Sequence, residues 1–164
     1  MRIRDSARGV VFNDDGEILL LRCEDKEPVD PRNPDLLRYW VTPGGGTKSG
    51  ETPEQSLVRE LYEETGMVDV VVGACVWLRE LELVLPERGP VLSRERYFLC
   101  QSREKRTSRE HMTVSERTVI KEMGWWALDR LADSSETFRP PGLVPLVRRL
   151  CSDGPPSEPI RIEG

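Results

Sequence analysis

Three glutamates, Glu60, Glu63 and Glu64, stand within five residues of one another. Carboxylate oxygens are hard ligands, suited to magnesium, manganese or calcium. On a helix at about 100° per residue, setting Glu60 at 0° puts Glu63 near ~300° and Glu64 near ~40°. They share one face. Leu57, Val58 and Leu61 fall at about 60°, 160° and 100°, an apolar stripe beside that face. The carboxylates then sit at the edge of the buried stripe, near the rim of whatever cleft the helix borders. Like charges at this spacing repel by a few tenths of a kcal/mol per pair, and no lysine shares the face to relieve them. A divalent cation answers that need, with waters and substrate phosphates filling its remaining positions. Taken alone, such a segment is most often a solvated acidic face. Its surroundings decide.

The helix that carries them has clear ends. Thr52 is a suitable N-cap, Pro53 suits the first helical position, Gln55 completes a capping box and Gly66 stops the helix after Thr65. Upstream, Ile3 to Phe12 and Glu17 to Arg22 are apolar runs joined by Asn13-Asp14-Asp15-Gly16, which predicts a β-hairpin. Glu24 to Arg38, with Pro28, Pro31 and Pro34, reads as a long surface loop. Trp40 and Val41 form a short strand entering Pro43-Gly44-Gly45-Gly46. Beyond Gly66, the Val- and Leu-rich run from Met67 to Leu85 slips in its alternation near Arg79 and Glu80, which predicts two strands separated by a bulge or turn. Pro86 to Pro90 turns the chain into a strand from Val91 to Gln101. A charged segment, Ser102 to Lys121, leads to a short strand at Gly124 to Leu128, and Leu143 to Leu150 is the closing helix. Strands with one helix mid-chain and one at the end indicate an α/β or α+β fold, a mixed sheet with helices packed on it.

Composition bounds the rest. A chain of 164 residues suits one domain, taken as residues 1–151, with 152–164 a flexible, Pro- and Ser-rich tail in which Ile160 and Ile162 could dock as an added strand. The net charge of −5 is the wrong sign for a general nucleic-acid or membrane binder, so a phosphate ligand must be met locally or through metal. The N-terminus holds no long apolar run, so the expectation is a cytoplasmic protein. Cys23, Cys75, Cys100 and Cys151 lie far apart and His111 is the only histidine, which excludes the usual zinc patterns.

What surrounds the glutamates is Gly45, five residues, Glu51, seven residues, Arg59-Glu60-Leu61, one residue, Glu63-Glu64, one residue, Gly66-Met67. This resembles the Nudix box of the MutT-like pyrophosphohydrolases. Seven fixed residues, each used at roughly 6 to 7% in proteins, coincide by chance on the order of once in 10⁸ windows. Looser resemblance extends upstream to Trp40 and downstream to Trp125-Trp126-Ala127-Leu128-Asp129-Arg130-Leu131. The resemblance implies an α/β/α sandwich and hydrolysis of a nucleoside diphosphate linked to another moiety: a nucleoside triphosphate, an oxidised deoxynucleotide, or an ADP-ribose-like compound. It implies Mg²⁺ or Mn²⁺ as cofactor. By the same resemblance Glu60, Glu63 and Glu64 are catalytic metal ligands, Glu60 is the candidate base, and Gly44 offers its carbonyl oxygen to the cation. Gly45, Glu51, Arg59 and Gly66 are structural, with Arg59 bracing Glu51.

A distal carboxylate often completes such sites. Glu116 is the first choice here, with Glu110 and Glu122 as rivals. Arg8, Arg38 and Arg96 are candidates to fork onto a phosphate, and Trp40 to pack a base. The partner is a small nucleotide, without nucleic acid or membrane, and family precedent allows for a homodimer. The alternatives are a catalytically idle Nudix domain that senses a nucleotide, which usually loses box glutamates, and an isoprenoid isomerase, for which Cys75 and Cys100 lack a supporting context.

Overall fold

Two strands that begin as a hairpin and then part set the architecture. The structure is a computed structural model describing residues 1–164. Strand β1 (Arg2–Phe12) meets β2 (Ile18–Glu24) in antiparallel register only at Phe12 and Ile18. From there β2 pairs with β3 (Arg38–Val41) on one edge and β7 (Ile120–Trp126) on the other. The outer half of β1 instead takes β4 (Gly44–Gly46), with Arg8 opposite Gly44 and Ser6 opposite Gly46. The expected hairpin is therefore real only at its tip, because each strand finds a better partner for the rest of its edge. A cavity opens where they diverge.

The other edge of β1 pairs in parallel with β6 (Gly89–Ser102) along its whole length. Strand β5 (Val70–Leu85) runs antiparallel to β6. It is one strand of 16 residues rather than two, and its bulges lie near Cys75, not at Arg79 and Glu80. The apparent slip in the sequence has a physical origin: Arg79 is buried on the same face as Leu81 and Leu83, so a charge occupies an apolar phase. The full order is β8-β3-β2-β1-β6-β5-β9, with β8 (Phe138–Arg139) and β9 (Ile160–Arg161) as parallel edges.

Helices cover both faces of this mixed sheet. Leu57 and Leu61 of α1 (Pro53–Thr65) pack against Ala7, Val11, Leu19 and Phe98. On the opposite face, Leu131 of α3 (Leu128–Asp133) and Leu143, Val147 and Leu150 of α4 (Leu143–Asp153) pack against Val10, Leu20, Trp77 and Trp126. Strand alternation separates the paired tryptophans: Trp125 joins the α1 side and Trp126 the α4 side. Within the charged segment a one-turn helix, α2 (Val114–Val119), is fixed by a capping box between Thr113 and Glu116.

Helix α1 has the caps its sequence predicts, with Thr52 and Gln55 forming the box and Gly66 in the left-handed region at φ 73°. Its buried arc differs. Val58 is 54% exposed, whereas Ser56, Glu60, Glu64 and Thr65 are buried. The arc runs from Ser56 to Thr65 with Glu60 and Glu64 inside it, because β4 crosses the helix at that face. The tail begins later than its composition predicts, and its two isoleucines dock as an added strand. α4 continues to Asp153, and Ile160 lies opposite Trp77 as β9, secured by Ile162 N–H to the Leu78 carbonyl at 2.9 Å. No helix is long and apolar enough to cross a membrane, and all four cysteines are free thiols.

Gly44 has φ 137°, and a Cβ there would lie 2.1 Å from the Ala7 carbonyl oxygen. Gly44→Ala is therefore expected to cost about 2 kcal/mol or more, read as a lower urea midpoint. An unchanged midpoint contradicts this placement of β4 on β1.

Candidate functional site

The glutamates are assembled by three elements. Gly45 on β4 has no side chain, and a Cβ there would lie 2.6 Å from a Glu60 carboxylate oxygen. The glycine strand can therefore lie directly on the acidic face of α1. Glu64 Oε1 accepts a hydrogen bond from the Gly44 N–H at 2.7 Å. Glu116 arrives from α2, where its other duty is to accept from the Thr113 N–H at 2.8 Å. Ligand oxygens of Glu60, Glu63 and Glu116 all lie within 4.8 Å of one another. Glu64 is not part of that trio; it sits beside it, buried and held by Gly44. Of the three distal candidates, the structure brings in Glu116. Glu122 pairs with Arg22 at 3.0 Å on the exposed edge of β7, and Glu110 lies outside the cluster.

One guanidinium organises this corner. Arg59 grips Glu51 through two hydrogen bonds of 2.7 and 2.9 Å, donates to the Gly46 carbonyl at 3.0 Å, and reaches Glu60 at 3.0 Å and Glu63 at 3.4 Å. It ties the loop and β4 to the helix and supplies the positive charge that a search for lysine on this face overlooks. The pair with Arg59 pulls the Glu51 carboxyl down to about 2. Burial pushes Glu60 up against the opposing pull of Arg59. Burial, and then the charge of Glu60, hold Glu64 well above the ordinary carboxylate range, against the pull of Arg8. The site remains short of positive charge.

The glutamates lie between two hollows. Where β1 and β2 part, a cavity of about 350 Å³ is lined by Glu60, Glu64, Glu116 and Gly44 at one end and by Leu81, Leu83, Leu85, Val29 and Leu36 along an apolar wall. Its rings are Tyr39 and Tyr97. On the other side of Glu60 and Glu116 lies a polar cleft of about 770 Å³.

Arg8 lines the cavity, donating to the Thr42 and Gly44 carbonyls at 3.1 and 3.3 Å. Any cation using the Gly44 carbonyl must share it with Arg8 or displace it. The other expected substrate contacts lie elsewhere. Trp40 is a core residue, edge-on to Trp126 with centroids 5.0 Å apart, because its large ring fills the α4-side core. Arg38 pairs with Glu136 at 2.9 Å on the exposed start of β3. Arg96 is exposed, since alternation sends it away from the face that carries Glu95 and Tyr97.

Sequence reasoning missed the pair Arg79 and Glu95. Both are buried in the cavity wall, 3.3 Å apart, with Tyr97 O–H also donating to Glu95 and Arg8 at 3.8 Å. Charges at a buried phase of two adjacent strands were the available signal. In the sequence alone, the charge at Arg79 imitates a strand break.

Comparison with known proteins bears on the family and the fold. A NUDIX domain model matches residues 2–149. An RNA pyrophosphohydrolase of Pseudoalteromonas translucida is 37% identical over 73 residues, which are 39% of this chain and 42% of that protein. The chain thus spans less than half the length of that relative. The MutT protein of Methanosarcina mazei superposes with a TM-score of 0.64 at 19% identity, covering 92% of this chain and 94% of that one. The NUDIX domain of Shewanella oneidensis NrtR, solved with ADP ribose, gives 0.60 at 18% identity, covering 93% and 90%. At these identities the likeness is one of fold.

The Glu51 clamp has a pH signature. Its pKa in the folded state is about 2 against an ordinary value of 4.5, so its stabilising contribution is complete above pH 4.5 and fades as pH falls towards 2. An NMR titration of the Glu51 carboxyl should give a midpoint near 2. A midpoint at 4.5 shows that Arg59 does not hold it.

Proposed function

The chain belongs to the Nudix family, and from that premise we propose that it is a divalent-metal-dependent pyrophosphohydrolase, cleaving the diphosphate of a nucleoside diphosphate joined to another group. One observation carries the reading: Glu60, Glu63 and Glu116 converge within 4.8 Å at the junction of the two hollows. That separation fits the donor set. Three carboxylates this close together offer the hard oxygen donors that a divalent cation such as magnesium would take. Mg²⁺ or Mn²⁺ held there would neutralise the phosphoryl oxygens and stabilise the charge on the departing phosphate.

The chain's own groups supply the remaining roles. Glu60, Glu63 and Glu116 would hold the cation, with the Gly44 carbonyl, which now accepts from Arg8, as a further candidate donor. Glu64 holds the Gly44 peptide in place through its N–H. Glu60 takes the proton of the attacking water, since it alone of the α1 glutamates lines both hollows and its burial raises its basicity. The 350 Å³ cavity, with its apolar wall and tyrosine rings, receives the nucleoside and shields it from water. The name of the Pseudoalteromonas relative and the ADP ribose bound to NrtR support a diphosphate-containing ligand. All four glutamates of the box are present, which favours a working enzyme over an idle sensor.

With magnesium and a panel of nucleoside triphosphates, oxidised deoxynucleotides, ADP-ribose, dinucleoside polyphosphates and nucleotide sugars, at least one substrate should be hydrolysed. Glu60→Gln should lower kcat by about 10² to 10⁴-fold. Glu64→Gln should also cut turnover, while its metal-free melting temperature holds or rises because a buried carboxylate is removed. Turnover like the unmodified protein's in both variants refutes these roles.

A further inference from the structure

The cleft beside the glutamates has a chemistry that hydrolysis of a diphosphate alone does not use. Its wall carries Arg2, Arg4, Lys48 and Arg88, and none of these four makes an ion pair with a carboxylate. The protein as a whole has net charge −5, so unpaired cations gathered beside its acidic centre are not a product of composition. Arg4 is the telling residue. It lines both hollows, next to Glu60. Gly46 gives it room to lie flat on β4, where a Cβ would stand 3.2 Å from its Nη2. Its Nη1 donates to Ser6 Oγ at 2.8 Å, but its Nε is buried without any acceptor. Burial first, then the charges of Arg8 and Arg88, lower its pKa against the weaker pull of Glu95 and Glu60. A half-buried guanidinium, repelled by two others, in no ion pair and holding an unused donor, has room for an anion.

Resting on the reading of Glu60, Glu63 and Glu116 as the hydrolytic centre, we infer that this cleft is a polyphosphate subsite, and that the substrate is a nucleotide bearing a chain of three or more phosphates. A diphosphate would be met at the glutamates, which would hold the divalent cation. A further phosphate falls in the cleft, where its oxygens accept from Arg4 and its charge meets Arg88, Arg2 and Lys48. An uncharged sugar in the same place could accept a hydrogen bond from Arg4 but would bring no negative charge to the four cations, which discriminates against a nucleotide sugar.

Two measurements test this, and the first needs neither metal nor turnover. By calorimetry, inorganic tripolyphosphate should bind the metal-free protein about tenfold more tightly than pyrophosphate, and Arg88→Gln, at an exposed position that spares the fold, should remove most of that difference. In the second, kcat/KM with magnesium is compared between triphosphate-bearing substrates, either a free nucleoside triphosphate or a 5′-triphosphorylated oligonucleotide, and a nucleotide sugar. Arg4→Gln and Arg88→Gln should each lower the ratio about tenfold, while Arg38→Gln, far from the site, leaves it unchanged. Either triphosphate source showing that dependence supports the subsite. Equal binding of the two inorganic anions, or a ratio indifferent to Arg88, overturns it. If no nucleotide at all is cleaved, the hydrolytic reading fails, and the calorimetry still decides whether the cleft recognises polyphosphate.

Discussion

Placing several carboxylates of one helix under the backbone of a neighbouring strand is electrostatically costly, and much of this structure serves to make it tolerable. Glu60 and Glu64 are 8% and 6% exposed, inside the buried arc of α1. Without compensation, charges of one sign so placed would be neutralised or expelled. Three groups compensate: the Arg59 fork, the Gly44 N–H, and Arg8 from across the cavity. Each requires something further. Arg59 needs Glu51 to fix its plane, and the Gly44 N–H needs a strand that can approach both β1 and α1 more closely than any side chain permits.

The same constraint shapes the larger fold. Because β4 occupies the outer edge of β1, β2 cannot continue its hairpin and turns to β3 and β7. The parting makes a cavity with the glutamates at one end and the side chains of β5 along its wall. α2 buries none of its residues and depends instead on its capping box, and that short helix places Glu116 against the other acids. The long loop before β3 is pinned through Asp30, buried and bonded to Arg139 at 2.7 Å, and through Val29, whose carbonyl accepts from Val84 N–H at 2.8 Å. The apolar wall is held by those ties.

Local signals in the sequence were strong where one segment determines its own structure. The caps of α1 and a mixed sheet with helices packed on it could be read from residue types and spacing, whereas the bracing of Glu51 by Arg59 and helices on both faces were implied by the resemblance to the Nudix box, and Gly44 to Gly46, a turn by its residue types, becomes a strand only because β1 offers it an edge. What required the fold was anything formed between distant segments. Val58 looked apolar and inward, but β4 lies over the opposite shoulder of the helix. Trp40 stood beside the glycine loop in sequence, yet its ring turned to the far core. Arg79 and Glu95 are 16 residues apart and solve each other's burial, which neither position announces alone. Arg4 is an ordinary terminal arginine until β4 and the turn bearing Arg88 close around it.

Manganese binding followed by electron paramagnetic resonance tests the central claim most directly, because it reads the glutamate cluster without any substrate. The account predicts that Mn²⁺ binds the unmodified protein and that Glu60→Gln, Glu63→Gln and Glu116→Gln each weaken it by about tenfold or more, while Glu122→Gln, on the outer edge of β7, does not. Binding that survives all three substitutions, or no binding at all, contradicts it.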